Sequence, residues 1–137
     1  MAPWDEFELD GYTLSAGEPW LAYLPEELLD PDGEDYCLAV SFWLWGEGEA
    51  ISPPVLLLSD GVTGYLPLED SSLTKTLSDV GLDPIFLSTV DWSQPQDFYG
   101  TLLYVVPTSA AGPAELVFTG ADGEEVRMAV ELPDPDL

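Results

Sequence analysis

Carboxylates are the dominant chemical group in this chain. Twenty-seven Asp and Glu stand against two cations, Lys75 and Arg127, and no His, for a formal net charge of −25 over 137 residues. Their spacing is regular. Glu6, Glu8 and Asp10, preceded by Asp5, alternate with Phe7 and Leu9. On an extended strand such carboxylates project from one face about 6.8 Å apart, while the apolar side chains anchor the other. The same spacing recurs in Asp30, Asp32 and Glu34, in Glu47 and Glu49, and in Asp134 and Asp136. Phosphates along one DNA strand rise about 3.4 Å each along the axis, with a somewhat larger through-space separation. A strand-borne row of carboxylates can therefore imitate a nucleic-acid backbone. The plainer reading is the solvent face of an amphipathic strand, and the spacing alone leaves both open.

Other chemistries find fewer residues to use. Without His there is neither the usual triad base nor a His-based metal site. Carboxylate pairs of the kind a glycosidase uses occur at Glu26/Glu27, Glu47/Glu49 and Glu124/Glu125, but a chain with 27 acids offers such pairs by composition alone. No Gly-rich phosphate loop occurs. Cys37 is the single Cys, in an apolar run, so it reads as a core thiol with no internal disulfide to make. That fits a reducing compartment. The chain is read as non-enzymatic, with no catalytic residue and no cofactor.

Calcium is the one metal to weigh. Asp30-Pro31-Asp32-Gly33-Glu34-Asp35 gathers hard oxygen donors around a sharp turn, with Asp30, Asp32 and Asp35 as the candidate ligands. The spacing departs from an EF-hand loop: Gly stands fourth rather than sixth, and the twelfth position is Ser41 rather than Glu. An Asx-type turn is the competing reading. Among the aromatics, Trp4, Trp20 and Trp92 stand in acidic or turn-rich surroundings, where an indole can anchor an Arg-rich partner by cation–π contact. Each can equally cap an end of the fold. Trp43 and Trp45 sit in an apolar run and read as core or semi-core.

The elements that must position these groups are short strands. A hydrophobic content of 46% is too high for a disordered acidic tail, and the length fits a single domain over 1–137. Thirteen Pro and 12 Gly punctuate the apolar runs, the pattern of an all-β domain. Strands are predicted over Phe7–Leu14, Trp20–Leu24, Tyr36–Trp45, Val55–Leu58, Thr63–Leu68, Ile85–Val90, Thr101–Val106, Ala114–Thr119 and Glu125–Leu132. Hairpin turns are predicted at Asp60-Gly61 and Asp122-Gly123. Pro25–Leu29 reads as a helical turn, and Ser71–Val80 as the one short helix. Tyr36, Leu38, Val40, Phe42 and Leu44 share one face of the strongest strand, and Cys37, Ala39, Ser41, Trp43 and Trp45 share the other. Both faces look covered. The fold class expected is an all-β, immunoglobulin-like β-sandwich of about 7–9 strands with one short helix.

Residues 37–132 resemble the telokin-like, immunoglobulin-fold domains of bacterial surface lipoproteins. The resemblance rests on the strand Cys37–Trp45, on Leu56-Leu57-Leu58-Ser59-Asp60-Gly61, and on Phe98-Tyr99-Gly100-Thr101-Leu102-Leu103-Tyr104-Val105-Val106-Pro107, which leads through Ala114–Phe118 to Val126-Arg127-Met128. It covers about two thirds of the chain and implies a sandwich fold and, as an alternative role, an extracellular adhesion or binding module that could take Ca²⁺. In charge, size and lack of catalytic residues the chain also resembles the nucleic-acid mimics of phages, the anti-restriction and anti-CRISPR inhibitors.

The leading expectation is a non-enzymatic mimic that blocks the basic groove of a DNA- or RNA-binding protein. Its contacts would be Asp5, Glu6, Glu8, Asp10, Asp30, Asp32, Glu34, Asp35, Glu47 and Glu49, with Trp4, Trp20 and Trp92 as aromatic anchors. The partner is then a basic protein, with no direct nucleic-acid contact and no membrane. A monomer is expected, because charge beside a strand edge opposes self-pairing. Met1–Glu6 lacks the basic start of a secretory signal, so a cytoplasmic location is expected, with extracellular as the alternative. Adaptation to high salt is a third explanation of the charge.

Overall fold

The computed structural model describes residues 3–22, 35–69, 74–79, 81–107 and 109–133. In chain order the strands are β1 (Phe7–Leu9), β2 (Tyr12–Ala16), β3 (Trp20–Ala22), β4 (Asp35–Gly46), β5 (Val55–Leu58), β6 (Gly64–Tyr65), β7 (Gln96–Pro107), β8 (Gly112–Thr119) and β9 (Glu125–Leu132). One short helix, α1 (Thr74–Asp79), and a 3-10 turn at Leu87–Thr89 lie between β6 and β7. The chain is all-β, with its strands in two antiparallel sheets.

Sheet A holds five strands and sheet B four. β4 is the axis of sheet A. β7 pairs with it along its whole length, from Asp35↔Pro107 to Gly46↔Gln96. β2 takes the Phe42–Gly46 end of β4 and β3 the Cys37–Ala39 end. A strand has only two edges and β7 fills one, so β2 and β3 follow one another along the other. β1 extends the sheet beyond β2. Sheet B runs β6-β5-β8-β9, and both of its β-turns use Asp-Gly. The Asp60 carboxylate accepts from the backbone of Val62 and Thr63 and from the Thr63 hydroxyl, which holds it below the usual carboxylate range.

The period-two alternation of β4 decides the core. Tyr36, Leu38, Val40, Phe42 and Leu44 are all buried and join Leu102, Tyr104 and Val106 of β7 with Leu56, Leu116, Phe118, Met128 and Val130 of sheet B in one cluster. Phe42 stacks on Phe118 at 6.2 Å and 10°, so the two sheets pack face to face. Each such aromatic contributes about 1.5–3 kcal/mol by burial. The buried hydroxyls are also satisfied: Tyr104 donates to the carbonyl of Pro54 at 2.9 Å and Tyr36 to that of Ala110 at 2.8 Å.

Three expectations need correction. Phe7–Leu14 is a hairpin rather than one strand, because the Leu9↔Tyr12 pairing leaves a two-residue turn. Asp10 and Gly11 fill it with φ of +51° and +87°, the left-handed region that Asp tolerates and Gly prefers. Ile85–Val90 is not a strand. Ile85 donates to the carbonyl of Thr101, and the Thr101 N–H donates to Asp83, each at 2.8 Å. The chain then coils into the 3-10 turn, where the Leu87 N–H donates to the Glu69 carboxylate. Phe86 enters one buried cluster and Leu87 another, so the segment wraps the outer edge of β7 instead of extending the sheet. The β strand expected from Thr101 begins earlier, at Gln96. The helical turn expected at Pro25–Leu29 lies outside the described residues.

Two measurements test this account. Tyr104→Phe leaves the buried Pro54 carbonyl without its donor and should destabilise the protein by about 1–3 kcal/mol, read from urea denaturation. Repulsion among the carboxylates opposes the compact state and is screened by salt. Raising NaCl from near zero to about 0.15 M should lift Tm by about 3–5 °C, equivalent to about 1 kcal/mol; a Tm independent of salt would contradict the electrostatic argument.

Candidate functional site

The outward face of sheet A divides into two halves with opposite treatment. At one end Cys37 and Ala39 of β4 and Leu103 of β7 are covered by Leu77 of α1, Leu82 and Phe86, with Ala22, Leu68 and Val105 packed around them. Cys37 is sealed there, and burial pushes its thiol up to about 12, so it stays protonated at neutral pH. At the other end no helix covers the face among the described residues. What stands there is aromatic and acidic.

The ladder register sets out this second half row by row. Residues directly opposite one another share a face, and Glu8↔Thr13, Thr13↔Trp45 and Trp45↔Asp97 form one row across four strands. The next row is Ser15↔Trp43↔Tyr99. Trp4, Glu6, Ser15, Trp43 and Tyr99 line a cleft of about 460 Å³ over it, within the range of about 300–1,000 Å³ usual for small-ligand sites. The rings are exposed: Trp4 by 52%, Trp43 by 43% and Tyr99 by 56%. Glu6 and Glu8 lie on the β1 side of these rings and Asp97 on the β7 side, so carboxylates flank the aromatic platform on both edges.

Each ring is held. The Trp43 indole N–H donates to the Asp97 carboxylate at 3.1 Å. Its ring meets Trp45 at 4.8 Å and Tyr99 edge-on at 6.3 Å and 89°. Trp4 reaches the cleft from outside the strands. Its backbone N–H donates to the Ala16 carbonyl at 2.6 Å, and its indole lies over Gly17, where a methyl group would meet Trp4 Cζ2 at 2.6 Å. Trp4 adopts φ +69°, a left-handed conformation that costs a bulky L-residue about 1–2 kcal/mol. Strain of this kind concentrates at functional sites.

The sequence-expected contacts distribute unevenly. Glu6 and Glu8 belong to the cleft and its margin, and Asp5 is exposed beside them. Asp10 does not extend their row: it is a turn residue, and its carboxylate accepts from the N–H of Ala121 in the β8–β9 turn. Glu47 and Glu49 are exposed on the loop after β4, where Glu47 N donates to Gly11 O. Asp35 opens β4. Asp30, Asp32 and Glu34 lie outside the described residues, and with them the proposed Ca²⁺ turn. Among the described residues no group of three or more Cys, Asp and Glu is arranged to hold a metal ion. No helix among them is long and apolar enough to cross a membrane.

The aromatic anchors divide differently from expectation. Trp4 lines the cleft. Trp20 is exposed opposite Ala39, four residues along β4 from Trp43. Trp92 instead packs edge-on to Tyr12 at 5.5 Å and against Phe98 at 6.5 Å, capping the core. Trp43, expected to be core or semi-core, is an exposed member of the site because nothing described covers its end of the sheet. Sequence reasoning missed Trp43, Asp97, Tyr99 and Ser15. The signal was present in Asp97-Phe98-Tyr99, where an acid and two aromatics stand ahead of the apolar run.

Comparison with known protein families, curated proteins and solved structures gives no match to this chain. The site is therefore read from its own geometry. Gly17→Ala should push the Trp4 ring off its seat, raising acrylamide quenching and red-shifting the emission. Because Trp4 is at the surface, stability should fall by no more than about 1 kcal/mol; unchanged fluorescence would show that Gly17 does not seat the ring.

Proposed function

We propose that this protein binds a basic nucleic-acid-binding protein and occupies the surface that nucleic acid would otherwise take. The observation carrying the reading is the flanked platform on sheet A: exposed Trp43 and Tyr99, with Trp45 half-buried beside them, between Glu6 and Glu8 on one side and Asp97 on the other. Two cations in the whole chain offer it little competition. Arg127 lies in β9 of sheet B, bridged to Glu115 and Glu125 at 3.5 and 3.2 Å, and Lys75 lies in α1.

The physical case has two parts. A net charge of −25 steers a cationic partner into encounter and repels nucleic acid and anionic membranes. Charge alone gives speed more than affinity, and exposed ion pairs contribute about 0–1 kcal/mol each. Desolvated aromatics supply the rest, since Trp and Tyr dominate interface energetics. The mode of action is that of the anti-restriction and anti-CRISPR inhibitors which the chain resembles in charge: the inhibitor sits in a basic groove and catalyses nothing.

The test is competition. The immobilised protein is incubated with nuclease-treated bacterial lysate at low salt, retained proteins are eluted by a salt step, and each is assayed for nucleic-acid binding with and without the inhibitor. The expected result is a retained protein whose nucleic-acid binding is competitively blocked. Its affinity should fall at least about tenfold between about 50 and about 200 mM salt. Retention only of proteins without nucleic-acid sites, or inhibition that excess nucleic acid does not relieve, would refute the reading.

A further inference from the structure

We propose that the cleft between Trp4, Trp43 and Tyr99 is a receptor for one arginine side chain of a partner protein, with Glu6 as its carboxylate. The inference rests on the preceding proposal of a basic partner and adds which cation is read and where.

The occupant follows from the lining. Three exposed rings and one carboxylate surround the cleft, over the buried Ser15, and Glu8 and Asp97 stand beside it. An anion or phosphate is repelled by this set. Among cations the lining discriminates by shape and hydration. A guanidinium is planar, weakly hydrated and forked, so it can stack on an indole face and donate through its edge to a carboxylate at once. A lysine ammonium is a compact, strongly hydrated charge that must shed more water to enter and matches only the carboxylate.

The cleft is also built in advance. Asp97 fixes the Trp43 indole through its N–H, Tyr99 abuts the ring edge, and Gly17 leaves room for Trp4 to lie close. Trp43, Tyr99 and Ser15 project from paired strands rather than loops. Little side-chain freedom remains to be lost on binding, which is where a preorganised site gains affinity. The indole that donates to a carboxylate is left more electron-rich, which strengthens its attraction for a cation over its face. Arg127 cannot serve as an internal occupant, since it is engaged by Glu115 and Glu125 on the other sheet.

The experiment uses the full chain and three short lysine-flanked peptides that differ only at the centre: arginine, lysine or uncharged citrulline. Titration calorimetry at about 0.15 M ionic strength should give the arginine peptide at least about fivefold tighter binding than the lysine twin, with citrulline weaker still. In ¹⁵N–¹H spectra the indole signals of Trp4 and Trp43 should move on binding, while that of Trp92, packed against the core away from the cleft, should not. Trp4→Ala and Tyr99→Ala change exposed rings, so their melting curves should stay near that of the parent. Both should abolish the arginine preference, and Glu6→Gln should reduce it. Equal affinity for the three peptides, or a preference that survives both ring deletions, overturns the proposal. That outcome is distinct from failure of the competition assay: a protein that blocks nucleic-acid binding without preferring arginine keeps the broader function and loses this site.

Discussion

The β4–β7 ladder is the constraint from which the rest of this structure follows. Twelve residues of each strand are paired in unbroken register, so side-chain direction is fixed along the whole length by period two. A one-residue slip would carry Phe42 and Leu44 to solvent and Trp43 and Trp45 into the core. The core specifies the register, and the register in turn determines what the outer face displays. At the Cys37 end small residues, Cys37 and Ala39, make room for Leu77, Leu82 and Phe86 to pack down. At the Gly46 end the outward residues are Trp43 and Trp45, too large for a helix to lie as close. The same strand thus seals one half of its outer face and exposes rings on the other.

Exposed rings on a sheet face carry a hazard of self-association. Here the charge manages it. A second copy brings the same carboxylates and the same net charge of −25, so like surfaces repel, whereas a cationic surface is drawn to the same place. The charge that strains the fold is also what makes an aromatic platform tolerable in water. Apolar burial must outweigh that strain, and the two-sheet core supplies Tyr12, Phe42, Tyr104 and Phe118 fully buried. The sequence is rich in aromatics and acids together because each is needed to offset the other.

Much of the framework was legible in the residues. Alternation in Tyr36–Trp45 located β4 and sorted its residues into two faces, although both looked covered, and Asp-Gly pairs marked both turns of sheet B. The hairpin at Asp10-Gly11 was missed although its signal was present: the alternation of Phe7 and Leu9 shifts by one residue to Tyr12 and Leu14 across an Asp-Gly pair. Segment Ile85–Val90 looked like a strand by composition, but its place is set by the edge of β7 and by Glu69, which no local pattern reveals. The site was half legible for the same reason. Glu6, Glu8 and Trp4 stood out as acids and indole near one end. Their meeting with Trp43 and Tyr99 depends on cross-strand register between segments about 35 to 95 residues apart in the chain.

The carboxylates do not all do the same work. With two cations available, many acids satisfy backbone N–H groups instead. Asp10 binds Ala121, Glu18 binds the edge-strand N–H of Glu131 at 2.7 Å, Asp91 binds Ser93, and Asp122 binds Glu124. An acid at such a post stabilises a turn or blunts a strand edge, and its charge-assisted bond holds it in place. For Asp91 the bonds from Ser93 also lower its pKa, so it remains ionised where it is structural. Glu6 and Glu8 make no such bond among the described residues. A continuous phosphate-like row along the N-terminal strand is therefore not what this fold presents. The acids at Asp10 and Glu18 serve the framework, while Glu6, Glu8 and Asp97 stand around the exposed rings. The surface is better understood as an aromatic site with an anionic rim than as a copy of a nucleic-acid backbone, and this gives it a means of choosing among cations that a bare row of charges would lack.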